Sequence, residues 1–280
     1  MARPRAPASL SADGRRALRT PLVLGALALA ATLCVPVAQY LDLSTPEDQG
    51  QRSLPVLVQS LEAQGRIADQ PDAERVADTR SLVAANILLR SGYLTRASVQ
   101  TDPVTRRPLY TLSLQAEVQA CANVPQDEAA GAPAEPPLPL HEASDLAIAA
   151  VAVEKFNRHA VHRALEWTLA HAMLALTGRL PELSLGPAQI RPAAVRRLVA
   201  AGIGGEEWRP LGQDERALAE ALGDECRSLA LAAALLAAQA CTDCSDPAAH
   251  ALQAYGGQRP RTEAVVDYVP IVRTMAAMWQ

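Results

Sequence analysis

Two runs of small apolar residues limit what this chain can fold into. "AIAAVAV" (147–153) and "LALAAALLAA" (229–238) contain no charge, no proline and no glycine. Alanine, the strongest helix former, recurs through both, so both predict helix. A helix that is apolar on every side has no face to give to water. The second run, which completes a helix read over 213–241, is therefore expected to be a buried central helix. The 280 residues are 49% hydrophobic and only 3% aromatic, so alanine, leucine and valine must build the core. That is enough for one substantial core or two small ones, and the fold class expected is mainly α.

Charge divides the chain unevenly. Residues 1 to 20 hold Arg3, Arg5, Arg15, Arg16 and Arg19 against Asp13 alone, whereas the whole chain carries −4. The body is thus acidic, which argues against nucleic acid as a partner, because phosphate binding needs a basic face. The basic leader is followed by "PLVLGALALAATLCVPVA" (21–38), uncharged and apolar, and then by Asp42, Glu47 and Asp48. This order fits the positive-inside rule for a single-pass anchor, and the length is at the short end for a spanning helix. A cleavable signal peptide ending near Pro36-Val37-Ala38 is the competing reading. Either way the body is expected to be exported; the anchor reading places the protein in the inner (cytoplasmic) membrane with its main body outside.

Export bears on the cysteines. Cys34 lies in the apolar segment, which leaves Cys121, Cys226, Cys241 and Cys244. Four thiols in an oxidising compartment predict two disulfides, with three possible connectivities. "CTDC" with His250 six residues on could also serve redox chemistry or zinc. A single CxxC is a weak signal for structural zinc, and no metal site or cofactor is expected.

The chain divides into four stretches: leader and anchor (1–40), a small α+β region (41–122), a proline-rich linker (123–142) and an α-rich body (143–280). "DAERVADTRSLVAANILLRSG" (72–92) has helical apolar spacing and ends on glycine. "ASVQTDPVTRRPLYTLSLQAEV" (97–118) has apolar residues on both sides of a proline-bounded turn, which suggests a hairpin. "NVPQDEAAGAPAEPPLPL" (123–140) holds five prolines and no helical pattern. In the body, one long helix or two abutting ones should run from near Ser144 to Gly178, followed by a helix over 192–202 opened by a proline.

Where the first apolar run ends, Glu154 follows directly, beside Lys155 and Phe156, the only lysine and only phenylalanine of the chain. Further on, "SLGPAQI" (184–190) places Ser184, Gly186 and Gln189 between two helices, where small residues allow close backbone approach. "ALQAYGGQ" (251–258) and "VVDYVPIV" (265–272) bring Tyr255 and Tyr268. Together these segments resemble the lysozyme-like superfamily, in particular lytic transglycosylases and goose-type lysozymes, over about residues 140 to 280. The resemblance implies a lysozyme-like helical domain in which Glu154 is the catalytic acid. It also implies that Ser184, Gly186, Gln189, Tyr255 and Tyr268 line a cleft for peptidoglycan glycan strands. Two departures stand out. The interval from Glu154 to Ser184 is wider than the family's, so an inserted helix containing Trp167 is expected, and Gly256 replaces the family's asparagine.

The chemistry can be argued without the family. Cleaving a glycosidic bond needs a carboxylic acid that stays protonated near neutral pH and delivers its proton to the leaving oxygen. Apolar surroundings disfavour the charged form of a carboxyl group; lysozyme's own catalytic acid is the well-known instance. Hydrolysis normally needs a second carboxylate, for which Glu182 and Asp267 are the candidates. A transglycosylase needs none, because the sugar's own 6-hydroxyl closes onto the anomeric carbon. A glycan- or partner-binding relative that has lost catalysis is the alternative. His159 and His162, Trp167 and Trp208, and Asn157 are lesser candidates for site roles.

Overall fold

The computed structural model describes residues 73–101, 103, 108–123, 137–157, 160–256 and 267–279. The leader and anchor, the first part of the 41–122 region, most of the proline-rich segment, Arg158, His159 and Gly257 lie outside the described residues, as does the side chain of His162. All described residues belong to one unit, Asp48–Gln280. Among them no helix is long and apolar enough to cross a membrane.

The described part is mainly helical. Helix α1 (Ala73–Ser91) leads into an antiparallel hairpin of β1 (Leu94–Thr101) and β2 (Pro108–Leu114), followed by the short α2 (Ala116–Ala122). Then come α3 (Leu140–Asn157), α4 (Ala160–Thr177), α5 (Pro192–Ala200), a turn of helix α6 (Gly205–Trp208) running into a 3-10 turn (Arg209–Gly212), α7 (Glu215–Gly223), α8 (Glu225–Gln239), α9 (Pro247–Gly256) and α10 (Tyr268–Ala276).

The two apolar runs form the centre. Ala147 through Val153 of α3 and Leu231 through Leu236 of α8 are all buried, and the two helices pack on each other. Both sides of this contact are rich in alanine, which favours the short end of the spacing that packed helices adopt. Helices α1 and α10 pack on one another and on α3, while α2 and α9 flank α8. Val83, Ile87 and Leu88 of α1 and Leu112 and Leu114 of β2 thus enter the same core as the body.

Sequence reasoning extends one helix across 213–241; the structure divides it. Gly223 ends α7, and Asp224 then caps α8, its carboxylate accepting from the Arg227 N–H at 2.8 Å. A methyl group on Gly223 would come within 2.4 Å of the Trp167 ring, so the break also makes room for α4. The helix expected between Glu154 and Ser184 is α4, and it carries Trp167. Trp208 is buried beneath Gly204 and belongs to the core.

Both expected disulfides are present, and the connectivity is Cys121–Cys226 and Cys241–Cys244. The first joins α2 to the first turn of α8, and the second closes the turn between α8 and α9. Beside the first lies a polar cluster that sequence reasoning did not find. Lys155 Nζ donates to Glu225 Oε1 at 2.6 Å and to the Ser91 carbonyl at 3.1 Å, and it sits 4.4 Å above the Tyr93 ring. The Tyr93 hydroxyl donates to the same Glu225 oxygen at 2.7 Å. Partial burial works against the Glu225 charge, but the bonds from Lys155 and Tyr93 outweigh it and hold the carboxyl below its ordinary value. Burial, reinforced by Glu225, pushes the Tyr93 phenol upward.

Candidate active site

Glu154 occupies the last full turn of α3 and is 2% exposed. Its neighbour Lys155 points the other way, into the Tyr93–Glu225 cluster, because successive helical residues diverge by about 100°. Lys155 thus pairs with Glu225 and not with this carboxyl.

The "SLGPAQI" segment is a tight turn. Leu185 and Ile190 form an isolated antiparallel bridge with both backbone hydrogen bonds made, at 3.0 and 3.1 Å. Both residues are buried, as is Ala188 between them, and Ser184 sits partly buried at the entrance. Within the turn Gly186 has φ +73, and a methyl group there would lie 1.8 Å from the Leu222 carbonyl oxygen. Glycine is therefore required by the fit of this turn against the end of α7. Gly186→Ala is expected to lower stability by about 2 kcal/mol or more, because a positive φ and a backbone collision act together. Urea unfolding checks this; an unchanged midpoint would contradict the packing argument.

Gln189 is the one non-glycine residue with positive φ among those described, at 53°. Its amide nitrogen donates to the Gly186 carbonyl at 2.9 Å and, weakly, to Glu166 on α4 at 3.4 Å. Both partners only accept, which fixes the amide's orientation and leaves Oε1 as the free end. That oxygen is buried and receives no hydrogen bond from any described residue. A strained backbone holding a buried, unsatisfied acceptor is a pattern found at ligand sites.

Tyr255 on α9 ties this turn to Glu154. Its hydroxyl donates to the Ala188 carbonyl at 2.5 Å. Burial, together with the nearby Glu154 charge, pushes the phenol well above its ordinary 10.0. Unfolded tyrosines ionise near pH 10 while Tyr93 and Tyr255 stay protonated in the fold. The unfolded state then binds fewer protons, and stability falls as pH rises beyond that point. Stability measured by urea unfolding from about pH 9 to about pH 11 should decline less in Tyr255→Phe, by about 1.4 kcal/mol in total over that interval. Equal slopes would mean that Tyr255 titrates normally.

Tyr268 opens α10 and lies flat against α9, since a methyl group on Gly256 would come within 2.6 Å of its ring. The ring thus takes the space in which a side chain at position 256 would begin. Of the two candidate second carboxylates, Glu182 is engaged in a clamp. It accepts from Arg196 at 2.6 Å and from the Ala193 N–H at 3.0 Å. Arg196 also reaches Glu215 at 2.6 Å, and Glu215 accepts from the Leu180 N–H at 2.7 Å. These bonds fasten both flanks of the 184–190 turn to α5 and α7. Asp267 stands before α10, where its backbone carbonyl accepts from the Ile271 N–H while its side chain makes no cap.

The structure therefore links Glu154, Tyr255 and the Gly186–Gln189 turn, with Tyr268 packed on the next residue after Tyr255. Glu166 and the Ala188 carbonyl were missed in the sequence. The first is one acid of an ordinary helix, and the second is a backbone atom that carries no residue signature. In comparison with known proteins, no family model matches the chain, and no curated protein or solved structure matches it.

Proposed function

We propose that the protein cleaves the glycan strand of peptidoglycan, between N-acetylmuramic acid and N-acetylglucosamine, with Glu154 as its single acid in a lytic transglycosylase-type mechanism. The lysozyme-like reading of the helical body belongs to the same proposal. The observation that carries it is the arrangement of Tyr255. Its proton is committed to the Ala188 carbonyl, so its oxygen offers a neighbouring group only lone pairs. This phenol therefore has no proton to offer the nearby Glu154 carboxyl, and the near-complete burial of Glu154 likewise disfavours the carboxylate. A carboxyl kept neutral until substrate arrives is what protonation of a glycosidic oxygen requires.

After the leaving sugar takes the proton, Glu154 as carboxylate accepts one from the 6-hydroxyl of the muramic residue while that oxygen closes onto the anomeric carbon. The 1,6-anhydro product forms and the acid is regenerated. The buried Oε1 of Gln189 would accept from a sugar hydroxyl or acetamido N–H, and Ser184 and Tyr268 would line the glycan cleft. Gly186 contributes through the tightness of its turn. The clamp on Glu182 favours the transglycosylase over a hydrolase, because that carboxylate is already occupied. The basic leader and apolar segment fit an anchor in the inner membrane that holds this body toward the wall.

A second reading is a binding protein that has lost catalysis. It is favoured by Gly256, whose side-chain space is filled by Tyr268 where the family has an asparagine. Mass spectrometry of products from purified sacculi separates the two. Anhydro-muropeptides support the proposal, and reducing-end muropeptides would replace it with a hydrolase. No products from folded protein would leave the binding reading.

A further inference from the structure

The turn between α8 and α9 carries a cluster that glycan cleavage does not use. Cys241 and Cys244 flank it and His250 stands on the first turns of α9, with one ligating atom from each lying within 4.8 Å of the others. The two sulfurs are joined in a disulfide. His250 Nδ1 lies 2.9 Å from the Gln239 carbonyl oxygen. A carbonyl can only accept, so Nδ1 carries a hydrogen, which leaves Nε2 as the ring nitrogen able to face a metal. A hydrogen bond from the opposite ring nitrogen is the means by which proteins orient a metal-binding imidazole.

The histidine's support does not depend on the disulfide. Asp246 caps α9 by accepting from the Ala249 N–H at 2.9 Å, and its other oxygen pairs with Arg273 of α10 at 2.5 Å. Residue 250 would therefore keep its place when the sulfurs separate.

We propose that, when its cysteines are reduced, this turn binds a zinc ion through Cys241 Sγ, Cys244 Sγ and His250 Nε2, with the fourth position open to water, and that disulfide formation expels the metal. Two thiolates and an imidazole suit zinc and disfavour magnesium or calcium. The CxxC spacing is one that zinc sites use, and tetrahedral zinc sets its sulfur ligands about 3.8 Å apart. Once the bond between them is reduced, the sulfurs must part to that spacing, while the His250 ring already lies within 4.8 Å of both.

The balance is simple. A newly made chain has two thiols here, and zinc binding releases their two protons to the solvent. A small-molecule disulfide then takes two electrons from the pair and leaves as two thiolates. The protein's S–S bond forms, and the zinc ion departs with its charge unchanged.

The test uses cobalt(II) as probe on the full chain, kept anaerobic under a phosphine reductant. One equivalent should bind with a thiolate charge-transfer band and the visible bands of tetrahedral cobalt, and both should vanish on adding zinc or a small disulfide. Cys241→Ser with Cys244→Ser should abolish the charge-transfer band, and His250→Ala should weaken binding at least about tenfold. The reductant also opens Cys121–Cys226, so Cys241→His, which cannot close the turn's disulfide, is measured without it. This variant should bind cobalt with Cys121–Cys226 intact. Absence of a charge-transfer band from both reduced wild type and Cys241→His would overturn the proposal, and so would affinity unchanged by His250→Ala.

Discussion

Glu154→Gln is expected to lower the release of muropeptides from sacculi by roughly 10²- to 10⁴-fold, the range that a general acid contributes. Glutamine keeps the size of the side chain and its hydrogen-bonding capacity, so the buried site at the end of α3 stays filled. What it loses is a proton that can be transferred. The circular dichroism spectrum and the urea midpoint should therefore match wild type while product formation collapses. Binding of the variant to sacculi should persist. Wild-type turnover in Glu154→Gln would remove Glu154 from the chemistry altogether. A wild type that binds sacculi as well as the variant, with neither releasing products, would identify a binding protein.

The largest effect on stability is expected from the Cys121–Cys226 disulfide. It closes a loop of 105 residues, and the chain-entropy argument gives a bond of that reach about 4 to 5 kcal/mol. Cys121→Ala with Cys226→Ala should lower the unfolding free energy by about 5 kcal/mol or more, seen in urea titration at neutral pH. The loss should exceed what chain entropy alone suggests, because Cys226 follows Glu225, the residue on which Lys155 and Tyr93 converge. Removing Cys241–Cys244, whose partners are only three residues apart, should cost under about 2 kcal/mol. The reverse order would mean that the long bridge adds little to what the α3–α8 contact already fixes.

Much of the fold can be read from local signals. The helix of residues 72–92 stops at Gly92, which has φ +79, and the body helix stops at Gly178, which has φ +70. Both positions favour glycine for the same backbone reason. The central place of α8 follows from a run with no polar face. Its start was less legible, because the chain at Gly223-Asp224 is helical on both sides and only the side-chain cap and the Trp167 ring reveal the break. For the site, the residue types at 154, 186, 189 and 255 marked the segments that the structure links. The partners were hidden, since the Leu222 oxygen against Gly186 and the Ala188 oxygen on Tyr255 are backbone atoms. Lys155 lies between these cases: its isolation in the sequence drew notice, but its pairing with a residue 70 positions away could not be inferred.

The pairing of α3 with α8 also sets the order in which this molecule can acquire structure. The two runs that fill the centre, 147–153 and 229–238, are separated by the 75 residues from 154 to 228. A chain emerging from its N-terminus must therefore hold the finished α3 surface open until residue 239 is available. Folding nucleated by neighbouring helices cannot complete this core, and contacts of such sequence separation slow folding. During that interval the exposed stretch is uncharged, alanine-rich and prone to self-association. Yield on overproduction should then depend on how fast residues up to 239 follow α3, more than on the stability of the finished fold.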